Sequence, residues 1–256
     1  MNEMKFSEAI FLGIIQGMTE FIPISSSGHL VFGQELLGIK QPGNVFEILV
    51  HLGTLLSVIV VFFAEIRSII FSLNKKKTQN FIIFILLGTL PSAIIGLGMK
   101  DFFYFLFDNI TVVSVSLIFT GIILFISSFA KKMDKELSIL SSILIGLAQS
   151  LAIIPGISRS GMTISAALFL GLSPKDAAKF SFLLAIPAIS GAGLLMTINM
   201  EYYAYSLPFS IAISAFISSF IIGVIALKWL LGWLEQGKFH YFGIYCFVVG
   251  FVTLVI

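Results

Sequence analysis

Charge is what this sequence lacks most. Of its 256 residues only 11% are Asp, Glu, Lys or Arg, against about 25% in an ordinary soluble domain. That is too little charge to cover a surface in water, and it excludes a soluble globule. The formal net charge is +2, too small to suggest nucleic acid as a partner. Cysteine is nearly absent. Cys246 stands alone, which excludes an intrachain disulfide and says nothing about compartment. The N-terminus has neither a strong basic segment nor a small-residue cleavage site, so no cleaved signal peptide is expected.

What is there instead is apolar. Hydrophobic residues make up 58% of the chain and the mean hydropathy is +1.07. Apolar runs of about 20 residues recur, the length that crosses a hydrocarbon core. The expected fold class is an all-α integral membrane protein with six transmembrane helices, two re-entrant helix hairpins and an inverted-topology repeat. The six spans fall at 45–66, 80–98, 110–130, 179–198, 208–230 and 240–256. Polar breaks such as Asn74-Lys75-Lys76-Lys77 and Lys131-Lys132-Met133-Asp134-Lys135 separate them. Two further apolar stretches, 6–38 and 138–171, are each interrupted by a serine-rich seam, ISSSGH and GISRSG. Each half is about 15 residues, too short to cross comfortably. Broken segments of this kind survive at membrane depth only where protein or a water-filled cavity surrounds them.

Basic residues set the orientation. Arg67 and Lys75 to Lys77 follow the first span, and Lys131, Lys132 and Lys135 follow the third. Short lysine-rich loops face the cytoplasm. The loop with Lys100, Asp101 and Asp108 then faces outward, as do both termini. The first hairpin dips in from outside. The second enters from the cytoplasm, flanked by Lys135, Lys175 and Lys179.

The chain repeats itself at an offset of 133 residues (Gly146 less Gly13). The same offset pairs Gln16 with Gln149, Ser25 with Ser158, Ser27 with Ser160 and Gly28 with Gly161. The shared I-S-x-S-G at both seams is more telling than the glycine and leucine matches. A single membrane domain of two copies follows, residues 1–133 and 134–256, each one hairpin plus three spans. An odd number of spans inverts the second copy, and inverted repeats place sites where broken helices meet near the midplane.

Each seam opens a helical run. Serine is a favoured N-cap, and glycine lets the backbone turn tightly and approach a ligand. Two helix N-termini pointing inward form an anion site, with phosphate the usual occupant. Arg159 strengthens this reading, because an arginine in a membrane segment costs about 2.5–3.5 kcal/mol on insertion scales and is usually functional. Its planar fork suits a pair of phosphate oxygens. In the first seam, His29 lies one helical turn after Ser26, and Glu20 lies just upstream on the helical face of Gln16. A hydroxyl, an imidazole, a carboxylate and a guanidinium suit phosphoryl transfer. Plainer readings stand beside this one. Serines in membrane helices often only bond backbone carbonyls or a neighbouring helix. Glu47 and His51, one turn apart, form either a proton relay or, as we favour, a supporting pair. His240 reads as interfacial, Lys75 to Lys77 as a topology signal, and the sequon at 109–111 as a weak three-residue pattern.

These residues resemble a known family. QGMTEFIPISSSGHL (16–30) is similar to the glutamate/glutamine-rich signature of the undecaprenyl-diphosphate phosphatases, the bacitracin-resistance family. PGISRSGMT (155–163) resembles their second signature. Span number and length agree from end to end. The resemblance implies a bacterial inner-membrane hydrolase, and the orientation read from the basic residues puts its active site on the external side. It would cleave undecaprenyl diphosphate to undecaprenyl phosphate and inorganic phosphate, recycling the lipid carrier of peptidoglycan synthesis and conferring bacitracin resistance. It implies catalytic roles for Glu20, Ser26, His29 and Arg159, with the phosphate pocket lined by Ser158, Ser160 and Thr163. Gln16, Ser25, Ser27, Gly28 and Gly161 complete the expected binding set. A divalent cation, Mg2+ or Ca2+, is implied, with Glu20 as its ligand. The signature's first acidic position is Gln16 here, which carries no full charge, so Glu20 bears that duty alone.

Ser26 is the expected nucleophile, with His29 as general base or leaving-group acid, and Glu20 orienting His29 or holding the cation. Attack by His29 itself is the alternative. The expected partners are a polyprenyl diphosphate and membrane lipid, and a homodimer is left open. The rival functions are a transporter of polyprenyl phosphate and a binder of anionic lipid without chemistry. Neither has an evident use for a serine and a histidine beside a carboxylate.

Overall fold

A chain with so few polar side chains must satisfy its backbone internally, and the helix does this within one segment. The computed structural model describes residues 4–39, 45–99, 106, 109–130, 133–198 and 207–255. These residues form eleven α-helices. Helices α1 (Phe6–Thr19) and α2 (Ser26–Leu37) flank the first seam, and α7 (Ile139–Leu151) and α8 (Arg159–Phe169) flank the second. The remaining helices are α3 (Val45–Val61), α4 (Phe63–Phe71), α5 (Lys76–Gly98), α6 (Ile110–Ser127), α9 (Pro174–Ile198), α10 (Phe209–Glu235) and α11 (His240–Val255). The orientation reading also drew on Lys100, Asp101, Asp108, Lys131 and Lys132, which lie outside the described residues.

Four of these helices, α5, α6, α9 and α10, are long and apolar enough to cross a membrane. They coincide with four of the expected spans. The first expected span, 45–66, is α3 followed by α4, and the two meet at 68°. Glu65 and Arg67 sit just past the break, and no residue of α4 is buried. Polar groups at the end of an apolar run seek the interface, so the chain turns there instead of running straight. The last span, α11, has 16 described residues.

Both broken segments return to the side they enter. At the second, the Lys135 N–H donates to the Gly171 carbonyl at 2.9 Å, tying the mouth of the hairpin together. At the first, buried Met4 and Leu30 share an apolar cluster with Leu37 and Ile39. The mouths lie at opposite ends of the bundle, as α10 shows. Its start, with Leu207 and Ile211, belongs to the Met4 cluster. Its end, Leu234, lines a small cavity with Leu168, Leu172 and Pro174 at the exit of the second hairpin. The 27 residues of α10 span about 40 Å at 1.5 Å each.

Packing follows the repeat. Helix α1 packs on α10, and its counterpart α7 packs on α5. Helix α3 packs on α10, and its counterpart α9 on α5. Two pairings, α3 with α9 and α6 with α11, join an element to its own counterpart. That pattern is what two copies exchanged about a two-fold axis produce. Glycine permits the closest of these contacts. A Cβ on Gly146 would run into the carbonyl of Gly88 on α5 and stand 3.0 Å from its Cα. At the matching Gly13, a Cβ would meet Ser218 Oγ and lie 2.8 Å from the Ala215 carbonyl of α10.

Candidate active site

The site is built around one carboxylate. Glu20 caps the C-terminal end of α1, four residues after Gln16, and is only 7% exposed. Its chain neighbour Phe21 is fully buried and packs edge-on against Phe182, ring centres 5.8 Å apart. A carboxylate in such surroundings is costly unless it is paired and hydrogen-bonded. Three side chains donate to it. Arg159 Nη2 reaches Oε1 at 3.0 Å, Ser26 Oγ reaches Oε2 at 2.7 Å, and Gln16 Nε2 reaches Oε2 at 3.1 Å. His51 Nε2 stands 3.9 Å from Oε2.

Ser26 and Arg159 arrive there by the same local logic. Each is the first residue of its helix, and the serine before it is the N-cap. Ser25 Oγ accepts from the Gly28 N–H at 3.4 Å, and Ser158 Oγ accepts from the Gly161 N–H at 3.1 Å. In each seam the capping hydroxyl also bonds the next serine but one: Ser25 with Ser27 at 3.2 Å, Ser158 with Ser160 at 3.3 Å. The repeat therefore presents two helix starts whose first side chains take opposite oxygens of Glu20. Each start also carries N–H groups without an intrahelical acceptor. Ser25 holds a left-handed φ of 69°, unusual for a side-chain-bearing residue and a mark of local strain. In the second seam the positive φ, 91°, falls on Gly156, where a Cβ would collide with the Val113 carbonyl.

The other expected site residues divide into two groups. Ser26, Ser27, His29 and Arg159 are partly exposed, whereas Ser25, Gly28, Ser158, Ser160, Gly161 and Thr163 are buried. Thr163 Oγ1 donates to the Arg159 carbonyl at 2.8 Å and bonds Ser181 Oγ at 2.6 Å. The hydroxyls of Ser158, Ser160 and Thr163 are thus engaged in building the helix start that carries Arg159. His29 is not paired with Ser26. Its Nδ1 bonds the Ser25 carbonyl at 2.8 Å, and its Nε2 bonds Tyr245 Oη at 2.9 Å. The carboxylate in contact with Ser26 is that of Glu20.

Several residues reach the site that the sequence did not single out for it. His51 was read as supporting, yet it faces Glu20. Its Nδ1 is held by the Glu47 carbonyl at 2.8 Å. Thr120 splints the second seam, donating to the Gly156 carbonyl and accepting from the Ser158 N–H, both at 3.2 Å. Ser181 offers its carbonyl to Arg159 Nη1 at 3.5 Å. Thr120 and Ser181 are polar residues within otherwise apolar spans, and that oddity was the available signal.

A divalent cation fits here only in part. Among the described residues no three His, Cys, Asp or Glu group into a ligand set. Gln16 Oε1, however, is buried without a hydrogen-bond partner beside Glu20. One carboxylate and one hard amide oxygen suit a magnesium ion that completes its shell with water and phosphate oxygens.

The fold and site define a multi-pass membrane protein in which a carboxylate, an alcohol and a guanidinium from two facing helix starts meet inside the bundle. The model of the bacitracin resistance protein BacA family matches residues 9–252, and this chain belongs to that family. It is 43% identical over 262 residues to the undecaprenyl-diphosphatase of Carboxydothermus hydrogenoformans, covering 99% of this chain and 98% of that protein. The undecaprenyl-diphosphatase of Halothermothrix orenii is 41% identical over 261 residues with the same coverage. That of Desulforapulum autotrophicum is 38% identical over 273 residues, with 98% of each chain covered.

Proposed function

We propose that this protein hydrolyses undecaprenyl diphosphate to undecaprenyl phosphate and inorganic phosphate in the bacterial cytoplasmic membrane. That reaction returns the lipid carrier to peptidoglycan synthesis and lowers the amount of the bacitracin target. The observation that carries this reading is the pair of hydrogen bonds from Ser26 and Arg159 to the two oxygens of Glu20. A hydroxyl already donating to a buried carboxylate is set to lose its proton. A guanidinium on the same group is set to neutralise charge on a phosphoryl oxygen.

The reaction divides into two displacements. Ser26 Oγ attacks the terminal phosphorus, the bridging P–O bond breaks, undecaprenyl phosphate leaves, and Glu20 takes the serine proton. Water then attacks the phosphoserine. The Oγ–P bond breaks, Glu20 returns its proton to Oγ, and the water proton passes to His29 Nε2. Arg159 and the free N–H groups of the two helix starts hold the phosphate oxygens throughout. Glu20 and Gln16 Oε1 would hold a divalent cation, which when bound supplies further neutralisation of the diphosphate charge. The polyprenyl tail stays in lipid. Ser26 is preferred to His29 as nucleophile because it alone touches the base.

The two copies are residues 1–133 and 134–256, and the site lies between their hairpins. Orientation is supported by the distribution of cations. Lys135 and Lys175 flank the second hairpin's mouth. Lys179 lies over the Phe81 ring and so brings the start of α5, with Lys75 to Lys77, to the same end. Lys238 follows Gly237, which lines the cavity at the hairpin's exit. A lysine-rich end of this kind supports a cytoplasmic placement. The first hairpin then opens outward, and with it the active site. A transport reading shares the repeat architecture but leaves the hydrogen bond from Ser26 to Glu20 without a task.

The test is phosphate release from undecaprenyl diphosphate by the purified protein in detergent. Glu20→Gln is expected to lower kcat by about 10²–10⁴-fold, the scale of a lost general base, and Ser26→Ala by at least as much, while lipid binding persists. The trapped phosphoenzyme is expected to be acid-stable phosphoserine; an acid-labile phosphohistidine would transfer the nucleophile role to His29. Undiminished turnover in Ser26→Ala would remove that residue from the chemistry.

A further inference from the structure

His29 is held from two sides, and the second side is supplied by a residue that no step above uses. The Ser25 carbonyl can only accept, so Nδ1, 2.8 Å away, carries the ring proton. In the neutral ring the lone pair is then on Nε2, where Tyr245 Oη lies at 2.9 Å and donates. The two rings are also nearly parallel, 18° between planes and 5.7 Å between centres. Phe32 meets His29 edge-on at 6.3 Å. Tyr245 comes from α11, the last helix, far from the first seam in the chain. Its neighbour Cys246 is fully buried and bonds the Pro23 carbonyl at 3.6 Å, fixing α11 against the seam. Tyr245 itself is 42% exposed, so its phenol is not part of the packed core.

We propose that Tyr245 is a positioning residue for His29: its phenol, bonded to Nε2 and stacked on the imidazole, holds the ring with Nδ1 protonated and Nε2 as the proton-accepting nitrogen. One anchor, the Ser25 carbonyl, leaves the ring free to rock about a single hydrogen bond. The second anchor comes from another helix and defines the ring plane. The proton-accepting atom is therefore held at a fixed place, and the proton of the hydrolytic water reaches it through the phenol, which gives its own proton to Nε2 as it takes the water's. This role rests on the phosphatase reading, in which His29 Nε2 takes the proton of the hydrolytic water.

The experiment compares the full-length protein with Tyr245→Phe, which keeps the stacked ring and removes only the hydroxyl. With undecaprenyl diphosphate as substrate, kcat is expected to fall about five- to tenfold with KM nearly unchanged, the scale of one lost hydrogen bond. In a His29→Ala background the same change is expected to have no further effect. Nitrogen-15 spectra of histidine-labelled protein supply a readout that does not depend on activity. In Tyr245→Phe the His29 Nε2 resonance is expected to move toward that of an unbonded ring nitrogen, while His51 and His240 stay in place. Wild-type kcat in Tyr245→Phe, an unmoved Nε2 resonance, or an equal loss in the His29→Ala background would each overturn the proposal. A wild-type protein that releases no phosphate would instead sink the phosphatase reading, and the nitrogen resonance would still decide whether Tyr245 sets the histidine.

Discussion

Glu20 would be a liability in this bundle without its partners. Its side chain is 6% exposed and that of Arg159 14%. Removing one partner of such a pair leaves an uncompensated buried charge, at a cost of about 3–5 kcal/mol. Arg159→Ala is therefore expected to destabilise the protein strongly in detergent, measured as a lower unfolding temperature, as well as to weaken diphosphate binding. Arg159→Ala combined with Glu20→Gln removes both charges and is expected to recover much of the stability but none of the turnover. If Arg159→Ala unfolds at the wild-type temperature, the ion pair does not carry the burial of Glu20. The residues of this centre were legible because each is expensive in lipid: a carboxylate, an arginine and a cluster of hydroxyls in an apolar chain need a reason. Their pairing was not legible. Spacing put His29 one turn from Ser26, but helical spacing cannot say which way a ring turns. The chain-distant Tyr245 and the Ser25 carbonyl take both of its nitrogens. Tyr245 itself gave no signal, since it lies six residues into an apolar span and far along the chain from either seam.

At the level of elements, the seams matter because they end one helix and start another without leaving backbone groups exposed to lipid. The caps were readable: serine followed three residues later by glycine, twice, at the same offset. So were the apolar spans. The break between α3 and α4 was not, because Val61-Phe62-Phe63 is apolar throughout, and only the backbone at Phe62 leaves the helix. The close crossing of α7 with α5 was also hidden, since glycines are common in such sequence and their partners are distant in the chain. That crossing has a direct consequence. Gly146→Leu would force a side chain into the backbone of Gly88, and overpacking of this kind costs about 1–3 kcal/mol or more. It is expected to lower the unfolding temperature and the yield of folded protein. The same change at exposed Gly191, where an added Cβ meets nothing within 4 Å, is expected to be neutral for stability. Equal stability of the two variants would show that α5 and α7 can move apart, and that their tight contact does not hold the second hairpin in place.

In the proposed two-copy arrangement, the copies differ where the proposed chemistry requires it. The matching positions Ser26 and Arg159 are, on the proposed mechanism, nucleophile and anion clamp, and Glu20, the proposed base, is matched by the plain apolar Ile153. The two helix starts meet at Glu20, which takes Ser26 on one oxygen and Arg159 on the other, and on the proposed mechanism one side is reactive and the other receptive. The same two-fold relation sends the hairpin mouths to opposite ends of the bundle, so one orientation decides both. With the basic end in the cytoplasm, cysteines placed at Lys76 and Met133, in a Cys246→Ala background, are expected to react with a membrane-impermeant maleimide only after the cells are permeabilised. Cysteines at Gln41 and Tyr202 are expected to react in intact cells. The reverse pattern would turn the bundle over, and the diphosphate would then reach Ser26 from the cytoplasm. That matters for the carrier's cycle, because a headgroup too polar to cross unaided meets only the enzyme whose reactive hairpin opens on its own side of the membrane.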